Sequence, residues 1–281
     1  NNVLFAHGDY SDLESNYCTI QNWRADNYTV KLTKSGGTFT SGSVTGNVVI
    51  DAAGPVKLDG LDIQGALSVN AAGSIAFGTG KLPLSLDPGT LTLASAEKVI
   101  LGREPDVGEQ VMPVIQGNVV VDYTGVGGGA ETWDVDVKSK MAGSFTVTAS
   151  NGRVNVGILS GAGNLAAKQI YLTSFSGSSL SLAAGESVML RGAADATDSV
   201  EVDGGQQAEI SFDGLGDGPE RGDTLLGPDD CAFKIRGGAI SRTKETETQF
   251  RDGGSTGAVL TDEEIDRSLI RQWTPTDNGG V

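Results

Sequence analysis

Residues 44–101 read VTGNVVIDAAGPVKLDGLDIQGALSVNAAGSIAFGTGKLPLSLDPGTLTLASAEKVIL, a stretch in which short apolar triplets alternate with turns. In most triplets two apolar residues flank a polar or small one, as in Leu67-Ser68-Val69. Because successive side chains of a β-strand point to opposite faces, each triplet predicts a very short strand with one apolar face. The eight triplets are Val48–Ile50, Val56–Leu58, Leu61–Ile63, Leu67–Val69, Ile75–Phe77, Leu84–Leu86, Leu91–Leu93 and Val99–Leu101.

The spacing of these triplets predicts how the strands are arranged. From Ser68 onward their middle residues recur about every eight positions, which leaves no room for a helix between strands. Self-similarity on this scale is the mark of a solenoid, in which each repeat buries its apolar face only by stacking on a neighbour. We therefore predict an all-β fold, a parallel β-helix-like solenoid wound around one narrow core.

Composition agrees with a narrow core and excludes some partners. Aromatic residues make up only 6% of the chain, so the core must consist mainly of Val, Leu, Ile and Ala. The formal net charge of −16 argues against binding to nucleic acid or to an anionic membrane surface. The apolar runs are only a few residues long, so we expect no membrane insertion.

The two cysteines and the first residues bear on the environment of the protein. Cys18 and Cys231 are too few for a disulfide framework or a four-ligand zinc site, and we expect two free thiols, with one long-range disulfide as the alternative. The chain opens with Asn1-Asn2 rather than Met, as expected of an exported, processed product or of one segment of a longer polypeptide.

The character of the sequence changes twice along the chain. Residues 1–40 are polar and rich in aromatic residues, and we interpret them as an irregular N-terminal cap over the open end of the solenoid. Residues 41–212 carry the strand-like triplets and form the predicted β-solenoid. Residues 213–281 are rich in loops and form a C-terminal tail.

The tail contains one predicted amphipathic helix, near residues 261–273. Thr261 and Glu264 have the spacing of a capping box, and Pro275 ends the segment. One face of this helix would carry an apolar stripe, which could cover the open end of its own chain or make the contact in an oligomer. The stripe consists of Ile265, Leu269, Ile270 and Trp273.

Two segments resemble known surface proteins. Residues 46–58, GNVVIDAAGPVKL, resemble the rungs of filamentous-haemagglutinin-type adhesins, and their Ala-Ala-Gly turn recurs at 71–73 and 183–185. Gly8-Asp9-Tyr10-Ser11-Asp12 followed by Asn22-Trp23 is similar to the opening of bacterial and phage surface β-helix proteins such as tailspikes and fibres. These resemblances imply a non-catalytic structural or attachment protein of a bacterial surface or a phage particle. They also imply a homo-oligomer or contacts with other structural subunits, an extracellular, cell-surface or virion location, and host attachment through a surface glycan.

A rival hypothesis is an enzyme, because β-helix folds host polysaccharide lyases and glycosidases that use paired carboxylates. Asp134 and Asp136 alternate with apolar residues and should project from one face of a strand, about 7 Å apart. Trp133, beside this pair, and Tyr171, in the middle of a later triplet, are candidates for binding a sugar ring. The enzyme would then be a glycan depolymerase.

Two further alternatives remain open at this point. The Asp-rich turn with Asp213 and Asp217 could supply oxygen ligands to calcium, and no other cofactor is indicated. The chain could also be the subunit of an extracellular filament or surface layer, in which case the amphipathic helix would be the subunit contact.

Overall fold

The computed structural model describes residues 2–4, 18–32, 35–82, 85–86, 89–109, 112–128, 132–190, 194–203, 209–212, 223–226, 232–236, 239–243, 249–250 and 273–276. These residues form strands that pair in parallel throughout, and none of them lies in a helix. The predicted fold class, an all-β parallel β-solenoid, is confirmed.

The chain divides into two compact units, residues 1–152 and 153–281. The strands up to the boundary are β1 (Asn2–Leu4), β2 (Cys18–Ala25), β3 (Tyr28–Leu32), β4 (Gly37–Val44), β5 (Asn47–Ala52), β6 (Val56–Ile63), β7 (Ala66–Ala71), β8 (Ile75–Phe77), β9 (Thr90–Ser95), β10 (Val99–Leu101), β11 (Val114–Gln116), β12 (Asn118–Tyr123) and β13 (Val135–Val137). The boundary lies within β14 (Lys140–Leu190). It is followed by β15 (Ala194–Asp203), β16 (Glu209–Phe212), β17 (Asp223–Leu226), β18 (Ala232–Arg236), β19 (Ala239–Thr243), β20 (Gln249–Phe250) and β21 (Trp273–Thr276).

In the first unit one coil of the solenoid takes 19 residues where the turns are short. Gly37 of β4 pairs with Val56 of β6, which pairs with Ile75 of β8. Each triplet therefore stacks on a triplet one coil away and not on the next one in the sequence. The eight-residue recurrence is the spacing of strands within a coil.

The coils that contain β4 and β6 have three strand segments, because β4 and β6 bend at residues with positive φ, Ser41 and Gly60. The first sheet contains the leading halves of β2, β4 and β6, then β8, β10 and β13. The second sheet contains the trailing halves of β2, β4 and β6. The third sheet contains β3, β5, β7, β9, β12 and residues 145–148 of β14.

The apolar residues of the triplets form the core, as predicted. In the seven triplets whose residues are all described, the two outer residues are at most 1% exposed, and the middle residue is half-buried or exposed. Leu84 lies outside the described residues. The period-2 pattern thus specifies which face of every strand is buried.

The paired strands begin earlier than the boundary expected at residue 41. Strands β2 and β3 lie inside the segment interpreted as a cap, yet they pair in register with β4 and β5. Trp23 and Phe39 are fully buried, and their rings lie 4.9 Å apart between centroids. These two aromatic residues are therefore part of the core of the first coils.

Other predictions concern residues that the structure does not describe. The predicted helix lies outside the described residues except for Trp273, with which strand β21 begins. Ile265, Leu269 and Ile270 are outside the described residues. The thiols of Cys18 and Cys231 are also outside the described part. Among the residues that are described, there is no helix long and apolar enough to cross a membrane.

In the second unit polar side chains form a ladder on the outside of β14. Arg153 Nε donates to Gln169 Oε1 at 2.7 Å, and Gln169 Nε2 donates to Glu186 Oε2 at 2.9 Å. The hydrogen-bonded side chains are 16 and 17 residues apart in the sequence. Lys168, followed by Gln169, lowers the pKa of Glu186 through hydrogen bonds to the ionised carboxylate.

The Ala-Ala-Gly turns give a test of how closely the coils approach. A Cβ on Gly73 would lie 2.6 Å from the Pro55 nitrogen, whereas a Cβ on Gly185 would meet nothing nearer than the Lys168 Cα at 3.9 Å. We expect Gly73→Ala to lower the free energy of unfolding by about 1–3 kcal/mol, since backbone must move to make room. Gly185→Ala, in the same motif, should leave it unchanged or raise it by about 0.4–1 kcal/mol. Urea unfolding followed by circular dichroism measures both, and equal effects would contradict the close approach at Gly73.

Candidate functional site

Two loops of the first unit project from the solenoid and are held in fixed shapes. The first, residues 102–109, follows β10 at the corner where the first sheet ends. Ser139 anchors its base: its buried hydroxyl accepts from the Arg103 backbone N–H at 3.0 Å and donates to the Arg103 carbonyl at 3.2 Å. This side chain therefore joins the loop to the next coil.

An ion pair closes the same loop. The Arg103 guanidinium donates to both carboxylate oxygens of Glu109, at 2.6 and 2.8 Å, and the Asp106 backbone N–H donates to Glu109 at 2.9 Å. Lys81, from the preceding coil, forms an ion pair with Asp106. At the tip of the closed loop, the Val107 side chain is fully exposed.

The ion pair of the first loop predicts a lowered pKa for Glu109 and a loss of stability in acid. The Arg103 hydrogen bonds, and secondly the Asp106 N–H, lower the pKa of Glu109 to about 2. The pKa of Glu109 in the folded protein lies below the ordinary 4.5. The ionised carboxylate therefore stabilises the folded state above about pH 4.5, and this stabilisation is lost as the pH falls towards about 2. We expect Arg103→Gln to raise the pKa of Glu109 towards 4.5, measured by NMR titration of the side-chain carboxyl. Lys138→Gln is the matched control, since Lys138 contacts Glu104 and Asp136 instead. A wild-type midpoint near 4.5 would contradict the closed loop.

The second loop follows β12, and residues 124–128 and 132–134 of it are described. The buried Asp134 carboxylate anchors it. Asp134 Oδ1 accepts from the Tyr123 hydroxyl at 3.0 Å and from the Gly128 N–H at 2.7 Å. The Tyr123 oxygen in turn accepts from the Gly127 N–H at 3.2 Å. The Val126 side chain, between these anchors, is 95% exposed.

The carboxylates proposed for catalysis are therefore placed differently from the expectation. Asp134 and Asp136 are 3% and 8% exposed, and only Asp136 lies in strand β13. Asp134 is buried because it holds the second loop, and Asp136 lies 4.0 Å from the Lys138 ammonium. The alternation predicts outward side chains for an open strand, whereas both carboxylates are buried here.

The predicted sugar-binding aromatics lie in different units. Trp133 precedes β13 in the first unit and is half-buried. Tyr171 lies on β14 in the second unit and is also half-buried. Both make contacts with other residues. Each remains a separate candidate for binding a sugar ring.

The calcium hypothesis is not tested. Asp213 and Asp217 lie outside the described residues, and within the described ranges there is no group of three potential metal-binding His, Cys, Asp or Glu side chains. Asp59 is a separate buried carboxylate, 7% exposed, whose Oδ1 has no hydrogen-bond partner. It lies against Gly80, where an added Cβ would collide with it.

The third sheet has an outer surface without ionisable side chains along two rows. In each row the residues occupy equivalent positions on neighbouring strands and are half-exposed or exposed. The first row is Asn47, Ala66, Thr90, Asn118 and Ser144. The second row is Thr29, Val49, Ser68, Thr92, Val120 and Thr146. We call these the uncharged rows.

Charged side chains lie beside the uncharged rows and on the other two sheets. The next outward row of the third sheet includes Lys31, Asp51 and Asp122. The outward positions of the first sheet include Lys57, and those of the second sheet include Arg24 and Asp62.

A groove of about 510 Å³ runs beside the uncharged rows across several coils. Polar residues and alanines line it, among them Lys31, Asp51, Asn70, Ala53, Ala72 and Ala96. The Asn70 amide donates to Asp51 Oδ1 at 2.7 Å, so this carboxylate is already engaged by the next coil.

Sequence reasoning missed the two anchored loops and the uncharged rows. The loops depend on contacts such as Ser139 to Arg103, 36 residues apart, which no local rule predicts. The rows could have been found by writing the sequence in lines of 19 residues, because outward residues then fall in columns. Later coils are lengthened by loops, which hides this period.

Comparison with protein-family models, with curated proteins and with solved structures finds no match to this chain.

Proposed function

We propose that this protein is a non-catalytic attachment module of a bacterial cell surface or a virion, which presents surface loops to a glycan or to a partner subunit. The observation that carries the proposal is the way the two loops of the first unit are built. Each is anchored by a buried polar side chain, and each carries an exposed valine, Val107 or Val126. Binding residues are often placed on loops that a rigid scaffold positions.

The physical argument concerns the entropy of the loops. Ordering a loop costs conformational entropy. When the apolar residue of the loop stays exposed to water, no burial of that residue offsets the cost. A tip that is already fixed loses less entropy when it binds, which increases affinity. The hydrogen bonds of Glu109 and Asp134 would therefore hold the exposed valines in a fixed position for binding.

The buried positions of Asp134 and Asp136 favour this function over a depolymerase. The net charge of −16 further favours a partner without strong negative charge. An extracellular location, in a homo-oligomer or beside other structural subunits, belongs to the same proposal.

The test uses the full chain, fluorescently labelled, on an array of purified bacterial capsular polysaccharides and lipopolysaccharides. We expect a subset of glycans to be bound, and we expect Val107→Asp or Val126→Asp to reduce that binding at least about tenfold, since a charge at the contact must be desolvated. Val114→Asp is the matched control, because Val114 is 39% exposed at the start of β11 and lies outside both loops. Equal binding by all three variants would overturn the role of the loops, and an array without any bound glycan would overturn glycan attachment.

A further inference from the structure

The turn at residues 78–82 contacts both a buried carboxylate and the first loop. Its Gly80 lies against Asp59, and its Lys81 forms an ion pair with Asp106 of the first loop. We propose that the Lys81 ammonium exchanges between Asp106 and Asp59, so that the first loop has one state held by the turn and one state released from it. This inference concerns the states of the loop and does not depend on what the loop binds.

The Asp59 carboxylate supplies the reason for a second state. Asp59 is 7% exposed, and its Oδ1 accepts no hydrogen bond within the part of the chain that the structure describes. Burying an ionised carboxylate without hydrogen bonds is costly, and folded proteins rarely leave such a group unpaired. A positive group that can reach Asp59 is therefore stabilised there.

The position of Gly80 puts Lys81 within reach of Asp59. A Cβ added to Gly80 would lie 1.7 Å from Asp59 Oδ2, so the Gly80 Cα is within about 3.2 Å of that oxygen. Neighbouring Cα atoms are about 3.8 Å apart, which places the Lys81 Cα within about 7 Å of the same oxygen. An extended lysine side chain spans about 6 Å, so the ammonium can pair with either carboxylate from nearly the same backbone position.

The contact that Lys81 makes with Asp106 is easily given up. The two side chains are 76% and 51% exposed, and exposed ion pairs contribute little to stability because water and salt screen them. A pair with Asp59 would compensate a buried charge but would remove water from the ammonium. Because each position has a cost that the other lacks, neither excludes the other.

Arg103 is the rival partner for Asp59. Its hydrogen bond to Glu109 is the main cause that raises the pKa of Arg103, and the charge of Asp59 adds to this effect. Both terminal nitrogens of Arg103 donate to Glu109, however, so Arg103 can turn to Asp59 only if the ion pair that closes the loop breaks. Lys81 can change partner while that ion pair stays intact, and we therefore assign the exchange to Lys81.

The exchange would let the first loop accept a cationic group. A positively charged group of a partner that binds Asp106 would displace Lys81, and Asp59 would then pair with the displaced ammonium. The segment that carries Val107 would be released from the preceding coil in the same step.

The test measures the coupling between Lys81 and Asp59 in the full chain, with and without Asp106→Asn, which removes the partner that Lys81 has in the structure. In the Asp106→Asn background, the effect of Lys81→Gln on the unfolding equilibrium constant should change at least about fivefold when Asp59→Asn is added. With Asp106 intact, the change should stay below about twofold, because Lys81 is then held by Asp106. Urea unfolding followed by circular dichroism gives these constants and checks that each variant is folded.

A second measurement locates the ammonium directly. By NMR, exchange of the Lys81 ammonium protons with water should slow at least about fivefold in Asp106→Asn, because a buried ion pair protects them, and should return to the wild-type rate when Asp59→Asn is added. Asp62→Asn is the matched control for Asp59→Asn, since Asp62 lies on the same strand, β6, with a more exposed side chain. It should neither couple to Lys81→Gln nor change the exchange.

Two results would overturn the inference. The first is additivity of Asp59→Asn and Lys81→Gln in the Asp106→Asn background, because a buried water would then account for Asp59. The second is a coupling of Asp59→Asn to Arg103→Gln that exceeds its coupling to Lys81→Gln, which would make Arg103 the partner. Failure of the loops in attachment would show instead in the Val107 and Val126 variants.

Discussion

Trp23→Ala is expected to lower the free energy of unfolding of this protein by about 3–5 kcal/mol. Trp23 is 0% exposed, lies on β2, and its ring contacts that of Phe39 one coil away, with 4.9 Å between the centroids. Truncation removes a large apolar surface and leaves a cavity that stacked coils cannot close, because their spacing is set by the backbone hydrogen bonds. Urea unfolding followed by far-UV circular dichroism measures the loss.

The control for this substitution lies on the same strand. Arg24 is the next residue and is exposed, so Arg24→Ala should change the free energy of unfolding by no more than about 0.5 kcal/mol. A loss below about 1 kcal/mol for Trp23→Ala would contradict the structure. It would mean that the first coil is loosely attached, as the interpretation of residues 1–40 as an irregular cap implied.

The fold could be predicted because one physical rule governs all of its strands. Period 2 separates inward from outward residues, and the triplets from Val48 to Leu101 follow it with every described outer residue buried. The length of the coil could not be deduced in the same way. It depends on which triplets pair, and sequence spacing alone does not distinguish Gly37 pairing with Val56 from pairing with a nearer triplet.

The same limit applies to Asp134 and Asp136. Asp136 has the alternation of an outward residue, and its register partner Ile100 is half-exposed as expected. Whether an outward residue is covered is a tertiary fact, and Asp136 is only 8% exposed. Buried carboxylates that hold loops and exposed ones that hold substrates have the same sequence pattern, so only the structure separates them.

Asp134→Ala is expected to cost about 3 kcal/mol of unfolding free energy, because it leaves two buried or half-buried donors without an acceptor. These donors are the Tyr123 hydroxyl and the Gly128 N–H, at 3.0 and 2.7 Å from Asp134 Oδ1. The loss should appear with local opening of residues 124–128, which hydrogen exchange of the Gly127 and Gly128 amides would detect.

Asp134→Asn separates the hydrogen bonds from the charge. The amide oxygen can still accept from both donors, so we expect a loss of only about 1 kcal/mol and protected amides. Burial, followed by the Asp134 hydrogen bond and charge, raises the pKa of Tyr123 above its ordinary 10. Because the folded pKa is raised, this stabilisation is complete below pH 10 and is lost as the pH rises through the folded value. Asp134→Asn should lower that pKa in an ultraviolet titration of the phenol. Equal losses for the alanine and asparagine variants would show that the charge of Asp134, and not its position as an acceptor, holds the loop.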